Sequence, residues 1–95
     1  MKKKEWTIYL DNEKYKIEFL PNLIFKFKYK IFINNGVIDN VECILNKEGA
    51  NYNFKIKGHN VTVASTVKNL SSNYDLIIDG KSTTTNKIIT FYYRA

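Results

Sequence analysis

Apolar and polar residues alternate along most of this chain, which is the pattern of half-buried β-strands. The alternation runs through residues 6–10, 15–19, 25–33, 52–56, 61–67 and 74–78, and polar or Gly-containing turns separate these segments. No window of about eleven residues has the 3.6-residue spacing of an amphipathic helix. The pattern therefore predicts an all-β chain of about eight strands, folded as a single antiparallel β-sandwich, with a small closed β-barrel as the alternative.

The turn residues and the apolar phase make this prediction more specific. Asn35-Gly36 and Asp79-Gly80 are typical of tight hairpins, and residues 58–60 form a third predicted turn. If the strands on either side of Pro21 pair directly, the apolar pattern places Phe19 opposite Phe25 and Ile17 opposite Phe27. A weaker strand is predicted from Val37 to Leu45, centred on Val41, Cys43 and Leu45. The predicted core is Trp6, Ile17, Phe19, Phe27, Tyr29, Ile31, Phe54, Val63, Leu76 and Ile78.

Several short segments resemble the Fas apoptotic inhibitory molecule family. They are Trp6-x-Ile8-x-Leu10, the run from Tyr15 to Phe19, Ile31-x-Ile33 before Asn34-Asn35-Gly36, and Tyr74-x-Leu76-x-Ile78 before Asp79-Gly80-Lys81. The resemblance spans roughly residues 6–82. It implies a compact eight-stranded antiparallel β-sandwich without enzymatic activity that acts through protein interactions. The chain departs from the family where Pro21-Asn22 replaces a Gly-rich stretch.

The composition fits one small domain covering residues 1–95, with residues 1–4 expected to be frayed. The formal net charge is +6, and the basic residues are lysines except Arg94. A strand would place Lys26, Lys28, Lys30 and Phe32 on one face, and Lys16 could join them across a hairpin. Such a face could bind nucleic acid or another polyanion. It could equally be a solvated face whose lysines prevent aggregation.

The residues that support catalysis or metal binding are scarce. The chain has one His and one Cys, which excludes a Cys/His zinc site within one chain. His59 is interpreted as a turn residue, and Cys43 as a small buried hydrophobic residue on the inward side of its strand. The acidic residues fall in turns or, as with Glu18 and Glu42, on strand exteriors. We therefore expect no catalytic residues, no cofactor and no metal.

The sequence thus predicts a non-catalytic interaction module. Its partner is expected to be another protein, and binding of nucleic acid through the lysine face is the alternative. The lone Cys, the absence of a leader-like segment and the short apolar runs indicate a cytoplasmic protein with no membrane partner.

Overall fold

The computed structural model describes residues 3–21, 28–68, 71–83 and 92–93. These residues form strands, turns and irregular connections, and no helix occurs among them. The strands, numbered in chain order, are β1 (Lys4–Leu10), β2 (Glu13–Pro21), β3 (Tyr29–Ile33), β4 (Gly36–Val37), β5 (Glu42–Leu45), β6 (Gly49–Ile56), β7 (His59–Lys68), β8 (Ser71–Ile78), β9 (Lys81–Ser82) and β10 (Tyr92–Tyr93).

The strands form two separate sheets. One sheet has the order β10-β1-β2-β3-β4, and the other has the order β5-β6-β7-β8-β9. All pairs are antiparallel except β1 with β10, which is parallel. This is the all-β class with antiparallel pairing that the sequence predicts. The closed-barrel alternative is wrong, because each sheet ends at an edge strand on both sides.

The contacts within the chain divide it into two compact units. The first contains β1–β4 and β10, and the second contains β5–β9. The expected single strand over residues 37–45 is therefore wrong. Its beginning belongs to β4 of the first sheet, and its end is β5 of the second sheet, with an irregular connection at residues 38–41.

Four two-residue turns with positive φ connect consecutive strands. They lie at residues 11–12, 34–35, 57–58 and 79–80, and both residues of each have φ between 48° and 82°. Positive φ at both positions is the requirement of a type I′ hairpin, whose twist matches that of the strands. Two turns are shifted by one residue from the prediction: Gly36 begins β4, and His59 begins β7.

The strand–turn–strand units of β3–β4 and β8–β9 follow similar sequences, Tyr29 to Gly36 and Tyr74 to Gly80. In each unit, a strand that contains a tyrosine is followed by a two-residue turn with positive φ and then by a two-residue strand. The sequence similarity between the halves of the chain therefore corresponds to a repeated local structure, one copy in each unit.

One face of each sheet is buried. Of the predicted core, Ile17, Phe19, Ile31, Phe54, Val63, Leu76 and Ile78 are buried, and so are Ile8, Leu10, Tyr15, Ala50, Tyr52, Ile56 and Val61. Trp6 and Tyr29 are only half-buried, and Phe27 lies outside the described residues. Trp6 is less buried than predicted because it lies near the exposed start of β1, and burial increases along this strand toward Leu10.

The predicted pairing of β2 with the following strand is wrong in register but correct in phase. Ile17 lies opposite Ile33 and Phe19 opposite Ile31, not opposite Phe27 and Phe25. The pairing is displaced by an even number of positions, so the apolar face is preserved.

Candidate functional site

The structure places the predicted lysine-face residues in different environments. Lys16 and Phe32 are half-buried and lie on the same face of the first sheet as Glu18. Lys16 precedes Glu18 by two residues on β2, and Phe32 is the register partner of Glu18 on β3. Lys30 is exposed opposite Leu20, and Lys28 is exposed just before β3. Lys26 lies outside the described residues. Lys16, Lys30 and Phe32 therefore share a face.

The carboxylates of Glu5 and Glu18 lie among the basic residues of this face. Glu18 was expected on a strand exterior, but it is only 4% exposed. Its Oε2 lies 2.5 Å from Lys3 Nζ, and its Oε1 lies 3.6 Å from Lys16 Nζ. Glu5 lies 3.5 Å from Lys3 and 3.4 Å from Lys16. Because Lys16 pairs with both carboxylates, its charge is largely compensated within the protein.

The ion pairs explain how Glu18 remains charged with little exposure. The hydrogen bond from Lys3 lowers the pKa of Glu18, and this effect outweighs burial, which acts in the opposite direction. The same hydrogen bond raises the pKa of Lys3. Lys3 and Lys4 belong to the segment expected to be frayed, yet Lys3 holds Glu18 and Lys4 begins β1. No local sequence signal indicates this pairing, because Lys3 and Glu18 meet only through the β1–β2 ladder.

His59 forms a second polar arrangement at the end of the other sheet. Its Nδ1 lies 2.7 Å from Asp79 Oδ2, and the Asn60 amide donates to Asp79 Oδ1 at 2.9 Å. Burial raises the pKa of Asp79, but hydrogen bonds from His59 and the Asn60 amide together lower it below its usual value. An ionised carboxylate accepts only, so Nδ1 is the protonated ring nitrogen. The pair joins the start of β7 to the turn after β8.

The described residues contain no assembled metal centre. Nowhere within residues 3–21, 28–68, 71–83 and 92–93 do three His, Cys, Asp or Glu side chains gather as metal ligands. Cys43, expected to be buried, is exposed. Its register partner Tyr52 is buried, but β5 is the edge strand of its sheet among the residues that the structure describes. The inward phase was therefore predicted correctly, and the burial was not.

Strand β5 is the most accessible apolar strand that the structure describes. All four of its residues are exposed, including Ile44 at 48% and Leu45 at 56%. The Asn46 amide donates to the Gly49 carbonyl, so Asn46, Ile44 and Glu42 direct their backbone groups toward β6. Alternation along the strand directs the N–H and C=O groups of Cys43 and Leu45 away from the sheet.

Comparison with known proteins gives no relative. No family model, curated protein or solved structure matches this chain. In the part of the chain that the structure describes, no helix is long and apolar enough to cross a membrane.

Proposed function

We propose that this protein is a non-catalytic protein-binding module that accepts an extended partner segment along the free edge of β5. The observation that carries the proposal is the combination of outward backbone groups at Cys43 and Leu45 with the exposed side chains of Ile44 and Leu45. A partner strand satisfies the backbone groups through a ladder, and its alternate side chains contact the apolar ones.

The other edge strands support the choice of β5. Among the residues that the structure describes, β4, β9 and β10 have two residues each, whereas β5 has four. Proteins commonly protect sheet edges by shortening them or by placing lysine on them. β5 has neither protection, since no lysine occurs between Lys30 and Lys47 in a chain rich in lysine. Apart from Glu42, this edge is apolar and free of lysine, and it is the longest edge among the described strands, so it is suited to pairing.

The test is selection of extended peptides from a displayed library on immobilised protein. Cys43→Pro removes an outward N–H and places the proline ring on the free edge without removing a bond to β6. Val37→Pro is the matched control, because the Ile38 amide donates to Ile31 and alternation turns the Val37 amide away from β3.

We expect wild type and Val37→Pro to enrich the same peptides and Cys43→Pro to retain none of them, with far-ultraviolet circular dichroism confirming that all three fold. Peptides that bind Cys43→Pro as well as wild type, or the absence of any enriched peptide, would overturn the proposal. If Cys43→Pro does not fold, Leu45→Lys replaces it, because a charged side chain on the free edge also opposes pairing.

The resemblance to the Fas apoptotic inhibitory molecule family supports the same class of function, since it implies a β-sandwich that acts through protein interactions. A cytoplasmic location belongs to this proposal. It agrees with a lone thiol at an exposed position, because free thiols remain reduced in the cytosol.

Polyanion binding is the second candidate function, and the exposure of Lys28 and Lys30 favours it. The pairing of Lys16 with Glu5 and Glu18 weighs against it. The test is oligonucleotide binding at two salt concentrations by wild type and by Lys28→Gln/Lys30→Gln. A phosphate-binding face loses about one unit of salt slope per lysine removed. Binding that is absent, or equal in the variant, excludes this face.

A further inference from the structure

The two faces of strand β5 differ in their chemistry. Cys43 and Leu45 lie on the face of buried register partners on β6, whereas Glu42 and Ile44 lie on the opposite face. We propose that the segment accepted at this edge has a lysine or arginine between two apolar residues, with the basic side chain packed on Ile44 and its charge at Glu42. This proposal rests on the proposed function, because it names the chemical class of the partner at the same edge.

The backbone of β5 determines which partner residue meets Ile44. The outward groups of Cys43 and Leu45 form hydrogen-bonded pairs with an antiparallel partner strand, so Ile44 between them forms a non-hydrogen-bonded pair. Side chains in such a pair approach each other more closely than those in a hydrogen-bonded pair. One partner residue therefore lies directly beside Ile44, and its two neighbours lie opposite Cys43 and Leu45. All of these positions fall within Glu42–Leu45, the bounds of β5.

The two neighbouring partner residues extend an apolar surface. They lie on the face of Cys43 and Leu45, next to the buried Tyr52 and Ala50 of β6. Leu45 is 56% exposed, and apolar partner side chains at these positions remove it from water. The partner is therefore apolar on this face.

The partner residue beside Ile44 meets an apolar side chain and a carboxylate. Ile44 is 48% exposed, and Glu42 is two residues away on the same face of the strand. A cross-strand side chain contacts the residue directly opposite, and a long one also reaches the diagonal neighbour. Lysine and arginine combine an apolar stem with a charged end. One basic side chain therefore covers Ile44 and reaches Glu42.

Glu42 forms no ion pair within the part of the chain that the structure describes. Its register partner Asn53 is uncharged, and the Asn53 side-chain oxygen accepts a hydrogen bond from the Thr62 hydroxyl at 2.6 Å. Lys55 lies two residues further along β6 on the same face, and the two side chains are not paired. The charge of Glu42 therefore favours a basic partner segment over a neutral or acidic one.

The test compares three synthetic peptides on wild type and on charge variants. The peptides have the sequence Thr-Val-X-Val-Thr with blocked ends, and X is lysine, glutamine or glutamate. Binding is measured by nuclear magnetic resonance from the shifts of the Cys43 and Leu45 amides. Glu42→Lys reverses the charge on β5. Glu48→Lys is the matched control, because it changes the net charge equally at an exposed residue outside β5.

We expect wild type and Glu48→Lys to bind the lysine peptide about 1.5-fold to fivefold more tightly than the glutamine peptide, and the glutamate peptide least tightly. In Glu42→Lys the order is expected to reverse, because the glutamate peptide then forms the opposite-charge pair. Glu42→Gln is expected to bind all three peptides equally, and it replaces Glu42→Lys if that variant does not fold. Added salt should reduce the preference of wild type, since the pair is exposed.

The outcomes distinguish failure of this proposal from failure of the proposed function. Equal binding of the three peptides by wild type, or the same change of order in Glu42→Lys and Glu48→Lys, overturns the basic partner and leaves the β5 edge a docking site. Amide shifts that follow protein concentration without peptide overturn it in favour of a second copy. A wild type that binds none of the three peptides also overturns it, and the proposed function fails as well if the library selection enriches no peptide.

Discussion

Replacement of Gly49 by alanine is the most direct test of the ladder between β6 and β7. A Cβ atom added at Gly49 would lie 1.9 Å from the Ser65 carbonyl oxygen and 2.8 Å from its carbonyl carbon. Ordinary contacts between such atoms begin at about 3.5 Å. The two strands would therefore have to separate by about 1.5 Å at this point, because the obstacle is backbone and cannot change rotamer.

That separation breaks a specific hydrogen bond. The Val67 amide donates to the Glu48 carbonyl at 2.7 Å, next to Gly49, and backbone hydrogen bonds extend to only about 3.2 Å. Loss of one bond, added to overpacking strain, is expected to lower the free energy of unfolding by about 2–4 kcal/mol. For a chain of this size, the melting temperature should fall by about 10–30 °C.

Gly36→Ala provides the matched control. A Cβ at Gly36 would lie 3.5 Å from the Ile33 carbonyl oxygen, which is an ordinary contact. Alanine there is expected to change stability by less than about 1 kcal/mol, with a slight gain because glycine is freer in the unfolded chain. Both variants are measured by urea unfolding followed by circular dichroism. Equal stability of the two variants would refute the close approach at Gly49.

Three further predictions concern the core, a turn and the buried ion pair. Leu76→Ala should lower the free energy of unfolding by about 2–5 kcal/mol in urea titrations, because Leu76 is fully buried; a loss below about 1 kcal/mol would contradict its place in the core. Lys57 has φ of 50°, so Lys57→Asn should raise stability by about 0.5–1 kcal/mol and increase the melting temperature, since asparagine tolerates this conformation better. The pKa of Glu18 is lowered in the folded protein by its hydrogen bond with Lys3, so its contribution to stability is present above its unfolded pKa and is lost as pH falls through the lower folded value. Glu18→Gln should therefore flatten the acid limb of a stability–pH profile, whereas Glu42→Gln, at an exposed position, should not; identical acid limbs in wild type and Glu18→Gln would count against the ion pair.

Local signals predicted the parts of the fold that depend on neighbouring residues. Alternation identified the strands and their buried faces, and Asp79-Gly80 marked its turn correctly. The two turns that were misplaced by one residue use Asn34-Asn35 and Lys57-Gly58. In both, the adjacent glycine or asparagine offered an equally good local turn, and the ladder of the flanking strands decided between them.

The parts that were predicted wrongly depend on pairings between distant residues. The register between β2 and β3 is fixed by whole-strand pairing, and several registers with the same phase satisfy the apolar pattern equally well. Glu18 is buried with its charge paired because it contacts Lys3, which precedes the neighbouring strand β1, and Lys16, which lies on its own strand β2. Cys43 is exposed because β5 is an edge strand, and the alternation of the sequence does not reveal which strands lie at an edge. Alternation gives the face of a residue but not the position of its strand in the sheet.

The parallel pairing of β1 with β10 has a consequence for the order in which the chain folds. Tyr9 pairs with Tyr92, so this ladder closes a loop that contains the whole second unit, whereas the ladders of β5–β9 join only consecutive strands. Closing a long loop costs more chain entropy, and distant pairings form more slowly. During synthesis the second unit emerges complete before β10 does. We therefore expect the outer edge of β1 to stay open on the nascent chain until the residues of β10 have left the ribosome.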